Sequence, residues 1–219
     1  ARRVVIMAGL GAADADAAAS CRDLGDRIGA LMATTLPARG LFHGDAFSLG
    51  IAGGFSTALA RSLFAQADLV LAFGCSLTQH NLDKGKLFPK ARIVQIDTAP
   101  RAVSQGMVAA ERHLRSDARL AAQALARRAS PRQGWRSADL ADAIATTPAD
   151  TATFPAQPGL LDPRDVVSVL DKVLPMDWQM VNSSGHCSFF FAQMDRPWDR
   201  FLTIREFGAI GNGIAYAMG

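Results

Sequence analysis

The run Asp68-Leu69-Val70-Leu71-Ala72-Phe73-Gly74 is apolar from its second residue to its sixth. A strand with one wet face alternates polar and apolar side chains, because successive Cβ atoms point to opposite faces. An unbroken apolar run therefore marks a strand covered on both sides, the situation of a central strand in a parallel sheet. A second run, Val4-Val5-Ile6-Met7, ends in Ala8-Gly9-Leu10-Gly11-Ala12 and passes into an Ala-rich segment, Asp14 to Ala30, that reads as a helix. Strand, glycine turn and helix open a parallel α/β unit. The expected fold class is α/β, a doubly wound parallel sheet of Rossmann-like type.

The chain between these runs supplies further elements. Leu31 to Leu36 is a strand candidate ending at Thr34-Thr35 and Pro37. A long loop follows, punctuated by Gly40, Gly44, Gly50, Gly53 and Gly54 and containing His43. Loops of that length in a compact domain usually carry function or lie under a partner; His43 is either a ligand contact or simply solvated. Phe55 to Ala67 reads as an amphipathic helix with Leu59, Leu63 and Phe64 on one face. Ala91 to Asp97 is the next strand, and Ser116 to Arg128 a helix with Ser116 as its cap.

Two features of this half bear on nucleotide binding. Gly9 and Gly11 form a G-x-G, but Asp14 stands where a dinucleotide fingerprint has its third glycine. The turn fits a nucleotide site or a plain strand-to-helix connection equally well. Asp97, at the C-terminal end of its strand, either accepts from ribose hydroxyls or caps the turn Asp97-Thr98-Ala99-Pro100, and the cap is the preferred reading.

After Ser130-Pro131 the pattern loosens. Trp135 to Ala145 adds a short helix, and Thr146 to Gly159, rich in Thr, Pro and Ala, has no apolar period. This divides the chain into residues 1–130, a linker at 131–160, and a second unit at 161–219. The second unit starts with Asp162 as N-cap and Pro163 as first helical residue, a helix from Arg164 to Leu174, and a strand from Gln179 to Asn182. Ser183-Ser184-Gly185-His186-Cys187-Ser188 follows, a small polar loop whose hydroxyls and backbone N–H groups suit a diphosphate. Phe189-Phe190-Phe191 reads as core or interface. A strand-like run, Phe201 to Ile204, then leads to Glu206-Phe207-Gly208-Ala209-Ile210-Gly211-Asn212-Gly213 and an apolar helix start. These glycines allow either close approach of a ligand or tight helix–sheet packing.

Composition excludes several classes. The 219 residues are 49% hydrophobic and 20% charged, with a formal charge of +3 and dispersed arginines, so no basic stripe for nucleic acid is present. No apolar stretch approaches the ~20 residues of a membrane span. Cys21, Cys75 and Cys187 are far apart with no C-x-x-C, which points to neither a disulfide framework nor a zinc site and suits a cytoplasmic setting. A nucleophilic dyad of His186 and Cys187 is disfavoured, since adjacent side chains generally point apart.

Taken together, these segments resemble thiamine diphosphate enzymes of the acetohydroxyacid (acetolactate) synthase and 2-oxo-acid decarboxylase type. V-V-I-M-A-G-L-G-A, A-T-T-L-P-A-R-G-L-F, A-D-L-V-L-A-F-G-C-S-L and I-V-Q-I-D-T-A-P look like that family's central domain. L-D-P-R-D-V-V-S-V-L-D, V-N-S-S-G-H-C-S-F-F and F-G-A-I-G-N-G-I-A-Y-A-M-G look like the first part of its diphosphate-binding domain. Order and spacing, more than any single motif, carry the likeness.

The resemblance implies that Gly185, His186 and Cys187 hold the cofactor's diphosphate. It implies that the Gly208 carbonyl accepts from the aminopyrimidine, and that Ile210 wedges between the two rings to keep the cofactor bent. Bending places the pyrimidine amino group near the reactive thiazolium carbon, which pre-organises proton transfer. It further implies a lyase or transferase acting on a small 2-oxo acid, a homodimer or homotetramer, and Mg²⁺. The family's G-D-G metal motif and its activating glutamate do not occur here. No metal ligand and no catalytic residue is therefore assigned in this chain; Glu206 is a different position. The expectation is a longer polypeptide, with these 219 residues inactive alone. Gly9, Gly11 and Asp97 would be the contacts of FAD or another nucleotide in the central domain, although FAD is not favoured. The alternative reading is a free-standing Rossmann-like module binding FAD, NAD or ADP.

Overall fold

The computed structural model describes residues 1–99, 110–155, 157–204 and 208–219, with 103–104 and 107–108 as backbone alone. Pro100 of the proposed turn and Glu206 lie outside the described residues. The elements run β1 (Val4–Ala8), α1 (Leu10–Asp14), α2 (Ala18–Ile28), β2 (Leu31–Thr34), β3 (Ser48–Ile51), α3 (Ala58–Phe64), β4 (Leu69–Phe73) and β5 (Arg92–Asp97). Next come β6 (Val103–Ser104), β7 (Met107–Val108), β8 (Arg112–Arg115), α4 (Ala118–Arg128), α5 (Ala138–Thr146) and α6 (Pro163–Val173). The last are β9 (Met180–Asn182), α7 (Cys187–Phe191), β10 (Phe201–Thr203) and α8 (Gly213–Met218).

Six strands form one sheet in the order β3-β2-β1-β4-β5-β8, and every pairing is parallel. β1 sits centrally, and all five of its residues are fully buried. Its side chains divide by pleat. Val5 and Met7 enter one core with Leu63 and Phe64 of α3, while Val4, Ile6 and Ala8 enter another with Leu24 of α2 and Ala121 and Ala122 of α4. Each large side chain so buried stabilises by roughly 1.5–3 kcal/mol. Helices on both faces make this the doubly wound sheet expected. Leu140 and Ile144 of α5, with Trp135, also pack on the α3 side. Among the described residues no helix is long and apolar enough to cross a membrane.

Several local expectations change. The helix expected over 14–30 starts only at Ala18, as α2; the shorter α1 precedes it, and the turn between them holds Asp16 at φ 49°. The glycine-punctuated loop contains β3, an edge strand pairing β2 with a register shift between Met32 and Thr34. The cap of α4 is Asp117, whose Oδ1 accepts from the Leu120 N–H at 2.9 Å, and not Ser116. The side chain that caps is the one at the residue where the backbone is still extended, here φ −61°, ψ 139°. Asp162 caps α6 as expected, with Pro163 in its first turn.

β9 and β10 form a separate two-stranded parallel pair. A small apolar cluster of Val167, Met194 and Phe201, joined by Leu170, Met180, Phe190 and Phe191, lies beside them. Phe190 and Phe191 thus pack half-buried against this cluster. Phe189 instead faces outward and meets the large sheet's loops.

Candidate cofactor site

Because β9 and β10 run parallel and in register, with Met180 opposite Phe201 and Asn182 opposite Thr203, the loops that leave them emerge at one edge. The two loops touch. Ser183 Oγ donates to Asn212 Oδ1 at 3.0 Å, and Ser184 Oγ donates to the Ile204 carbonyl at 3.2 Å. A Cβ added to Gly213 would lie 3.2 Å from Ser183 Cβ. The stretch carrying Gly185, His186 and Cys187 is therefore joined to the stretch carrying Gly208 and Ile210.

His186, Cys187, Gly208 and Ile210 are exposed and Gly185 is half-buried. Ile210 is 78% exposed and belongs to no core cluster. Gly208 takes φ 64°, a backbone conformation costly for other residues, and a Cβ there would meet nothing within 4 Å. The space over that backbone is open.

The hydroxyls of the polar loop play a different part from the one their sequence suggested. Ser188 Oγ donates to the Gly185 carbonyl at 2.6 Å, so the protons of Ser183, Ser184 and Ser188 are all engaged inside the site. A hydroxyl has one proton to donate. What remains to face an anion is His186 and backbone N–H groups. Asn212, which orders the second loop, was not among the expected residues; its place between Gly211 and Gly213 was the available signal.

The second expected location is the C-terminal edge of the large sheet. Strand order reverses between β1 and β4, which is where doubly wound sheets open a crevice. A cavity of about 890 Å³ lies there, lined by Gly11, Thr35, Gly74, Asp97 and Phe189 among others. Gly9 does not line it. The Gly9 N–H donates to the Phe73 carbonyl at 2.8 Å, and a Cβ on Gly9 would sit 2.2 Å from the Gly74 oxygen. Gly9 therefore serves chain–chain approach. Asp97 Oδ1 accepts from the Ala99 N–H at 2.9 Å, which makes it the cap of its turn. His43 lies apart from both sites, with Nε2 3.3 Å from Asp195.

Thiol chemistry differs by position. Burial pushes the Cys21 thiol up to about 12, and that of Cys75 well above its usual range. Cys187 is the exposed thiol.

Residues 1–125 match the family described as thiamine pyrophosphate enzyme, central domain. The acetolactate synthase large subunit of Parasynechococcus marenigrum (strain WH8102) is 29% identical over 227 residues, covering all of this chain and 36% of that protein. A Pseudomonas aeruginosa protein named "Probable 2-ketoarginine decarboxylase AruI" is 28% identical over 224 residues, covering all of this chain and 38% of its own length. The chain thus spans little more than a third of these relatives. With its parallel sheet matched over more than half of its length, the chain belongs to the thiamine pyrophosphate enzyme family, whose central domain it contains.

Proposed function

We propose that this chain supplies the central domain and part of the diphosphate-binding domain of a thiamine diphosphate-dependent lyase or carboligase acting on a 2-oxo acid. In this reading residues 1–130 are the central domain, 131–160 the linker and 161–219 the diphosphate-binding part. One observation carries it: two loops at the same edge of adjacent parallel strands are tied by the Ser183–Asn212 hydrogen bond. The residues present fit the cofactor. Gly185, His186 and Cys187 face its diphosphate, the open backbone at Gly208 receives the aminopyrimidine, and exposed Ile210 bears on the rings. When bound, the cofactor supplies an electron sink for loss of carbon dioxide from a 2-oxo acid. The chain's own share is to bind and orient, and Mg²⁺ would be held by groups outside the residues assigned here. Assembly as a homodimer or homotetramer and a cytoplasmic location belong to the same proposal.

The test is calorimetric titration of the intact protein with thiamine diphosphate and Mg²⁺, beside Ile210→Ala. Micromolar binding in the wild type, weakened at least tenfold by the substitution, supports the reading. Wild-type protein that fails to bind overturns it. A nucleotide in the sheet-edge cavity has only the fold and the cavity's position in its favour, and titration with FAD, NAD and ADP separates that reading from this one.

A further inference from the structure

We infer that Arg39 is the positioning residue through which the central domain sets both halves of the cofactor cleft. The inference rests on the cofactor reading for its functional meaning, and on geometry for its substance. Arg39 follows the tight turn Leu36–Ala38 at the end of β2 and is only 5% exposed. Its Nε donates to the Ala192 carbonyl at 3.0 Å, and its Nη2 donates to the Met194 carbonyl. Its Cζ lies 4.1 Å from the centre of the Phe201 ring.

These contacts sit at the roots of both loops. Ala192 closes α7, whose other end is the Gly185–Cys187 segment, and Phe201 opens β10, which leads to Gly208 and Ile210. One guanidinium of the large sheet's domain therefore grips the base of each segment. The planar fork suits this task, since it donates along two fixed directions while its face rests on an aromatic ring.

The seat around Arg39 is built for close docking. Gly40 takes φ 78°, and a Cβ there would lie 2.2 Å from the Arg196 carbonyl oxygen. Trp198 Nε1 donates to the Pro37 carbonyl at 3.0 Å, and Gln193 Nε2 donates to the Phe55 carbonyl at 2.8 Å. Arg196, itself buried, is held by Asp171 at 2.6 Å and by the carbonyls of Asp171 and Leu174. Burial lowers the Arg39 guanidinium to about 10, so it remains charged at neutral pH, with the carboxylates of Asp195 and Asp171 favouring the charge. Removing the side chain would leave the buried Ala192 carbonyl without its donor and the Met194 carbonyl with the Arg196 N–H alone.

The experiment is hydrogen–deuterium exchange on the intact protein without cofactor, comparing wild type, Arg39→Met and Arg39→Lys. In Arg39→Met, amides of 183–188 and 192–204 should exchange at least tenfold faster, with β1 and β4 changed less than twofold. Arg39→Lys, which keeps the charge over Phe201 but loses the fork, should fall between. If Arg39→Met fails to fold, the lysine variant alone decides, by the same local acceleration. Unchanged exchange at 183–188, or a uniform rise across the chain, overturns the inference. Thiamine diphosphate titration of the same proteins separates the two claims: wild type that does not bind defeats the cofactor reading, while the exchange pattern still decides the role of Arg39.

Discussion

Phe189 lies face to face on Phe55, with ring centroids 4.6 Å apart and planes 11° from parallel. Phe55 belongs to the loop before α3, and Phe189 follows Cys187 by two residues on α7. The pair thus joins the sheet-edge cavity, which both rings line, to the segment proposed to hold the diphosphate. An aromatic stack contributes about 1 kcal/mol beyond the area it buries. A double-mutant cycle of Phe55→Ala and Phe189→Ala, read by urea unfolding, should give a coupling of about that size. Strictly additive single effects would show that the rings merely lie near one another.

The contact between Gly9 and Gly74 predicts an intolerance at the centre of the sheet edge. Gly9→Ala places a methyl group 2.2 Å from a backbone oxygen that no side-chain rotation can move away. Overpacking typically costs about 1–3 kcal/mol, and a backbone neighbour that cannot turn aside puts this site at the upper end. The urea midpoint should fall accordingly, with little change in slope. A midpoint equal to wild type would contradict the packing described.

Thiol labelling should separate the cysteines by environment. Cys21 and Cys75 are fully buried, whereas Cys187 is exposed. The thiolate is the reactive form, so burial that raises the pKa slows the reaction twice over. Native protein is expected to react with Ellman's reagent at one thiol per chain, and at the three the sequence carries once unfolded. Thiamine diphosphate with Mg²⁺ should slow the native reaction, because the proposed function sets Cys187 against the diphosphate. Rapid native labelling of Cys21 or Cys75 would be incompatible with this core.

Asp162 predicts an acid-sensitive helix start. Hydrogen bonds from the Arg164 side chain, then from its backbone N–H, hold the carboxyl down to about 2. Its unfolded value is about 4. A carboxyl lowered on folding contributes stability that is present above pH 4 and is lost as the pH falls towards 2. Thermal unfolding between pH 5 and pH 2 should therefore be steeper in the wild type than in Asp162→Asn, which keeps a capping oxygen without the charge. Equal slopes would remove this carboxylate from the acid response.

Much of the large sheet was legible along the chain, for reasons particular residues make plain. Val4 to Met7 and Leu69 to Phe73 are apolar without interruption because both faces of those strands are covered, and that requirement is written residue by residue. Asp162-Pro163 marked a helix start because an N-cap and a first-turn proline act locally. β3 and β8 carried no such mark. Arg112-His113-Leu114-Arg115 is exposed at every position, and it is a strand because β5 offers it backbone partners.

The candidate site was legible as an order of segments, and its working parts were not. That Gly185–Cys187 and Gly208–Ile210 belong together followed from the resemblance, yet the engaged hydroxyls of Ser183, Ser184 and Ser188 depend on acceptors placed by folding. Sequence alone determined the fold class and the two glycine-rich segments, since burial and turn geometry act over a few residues. Tertiary structure alone decided that Arg39 meets carbonyls 153 and 155 positions away and that Gly9 faces Gly74. Contacts between distant parts of a chain leave no period or spacing to read, because they are set by how finished elements pack.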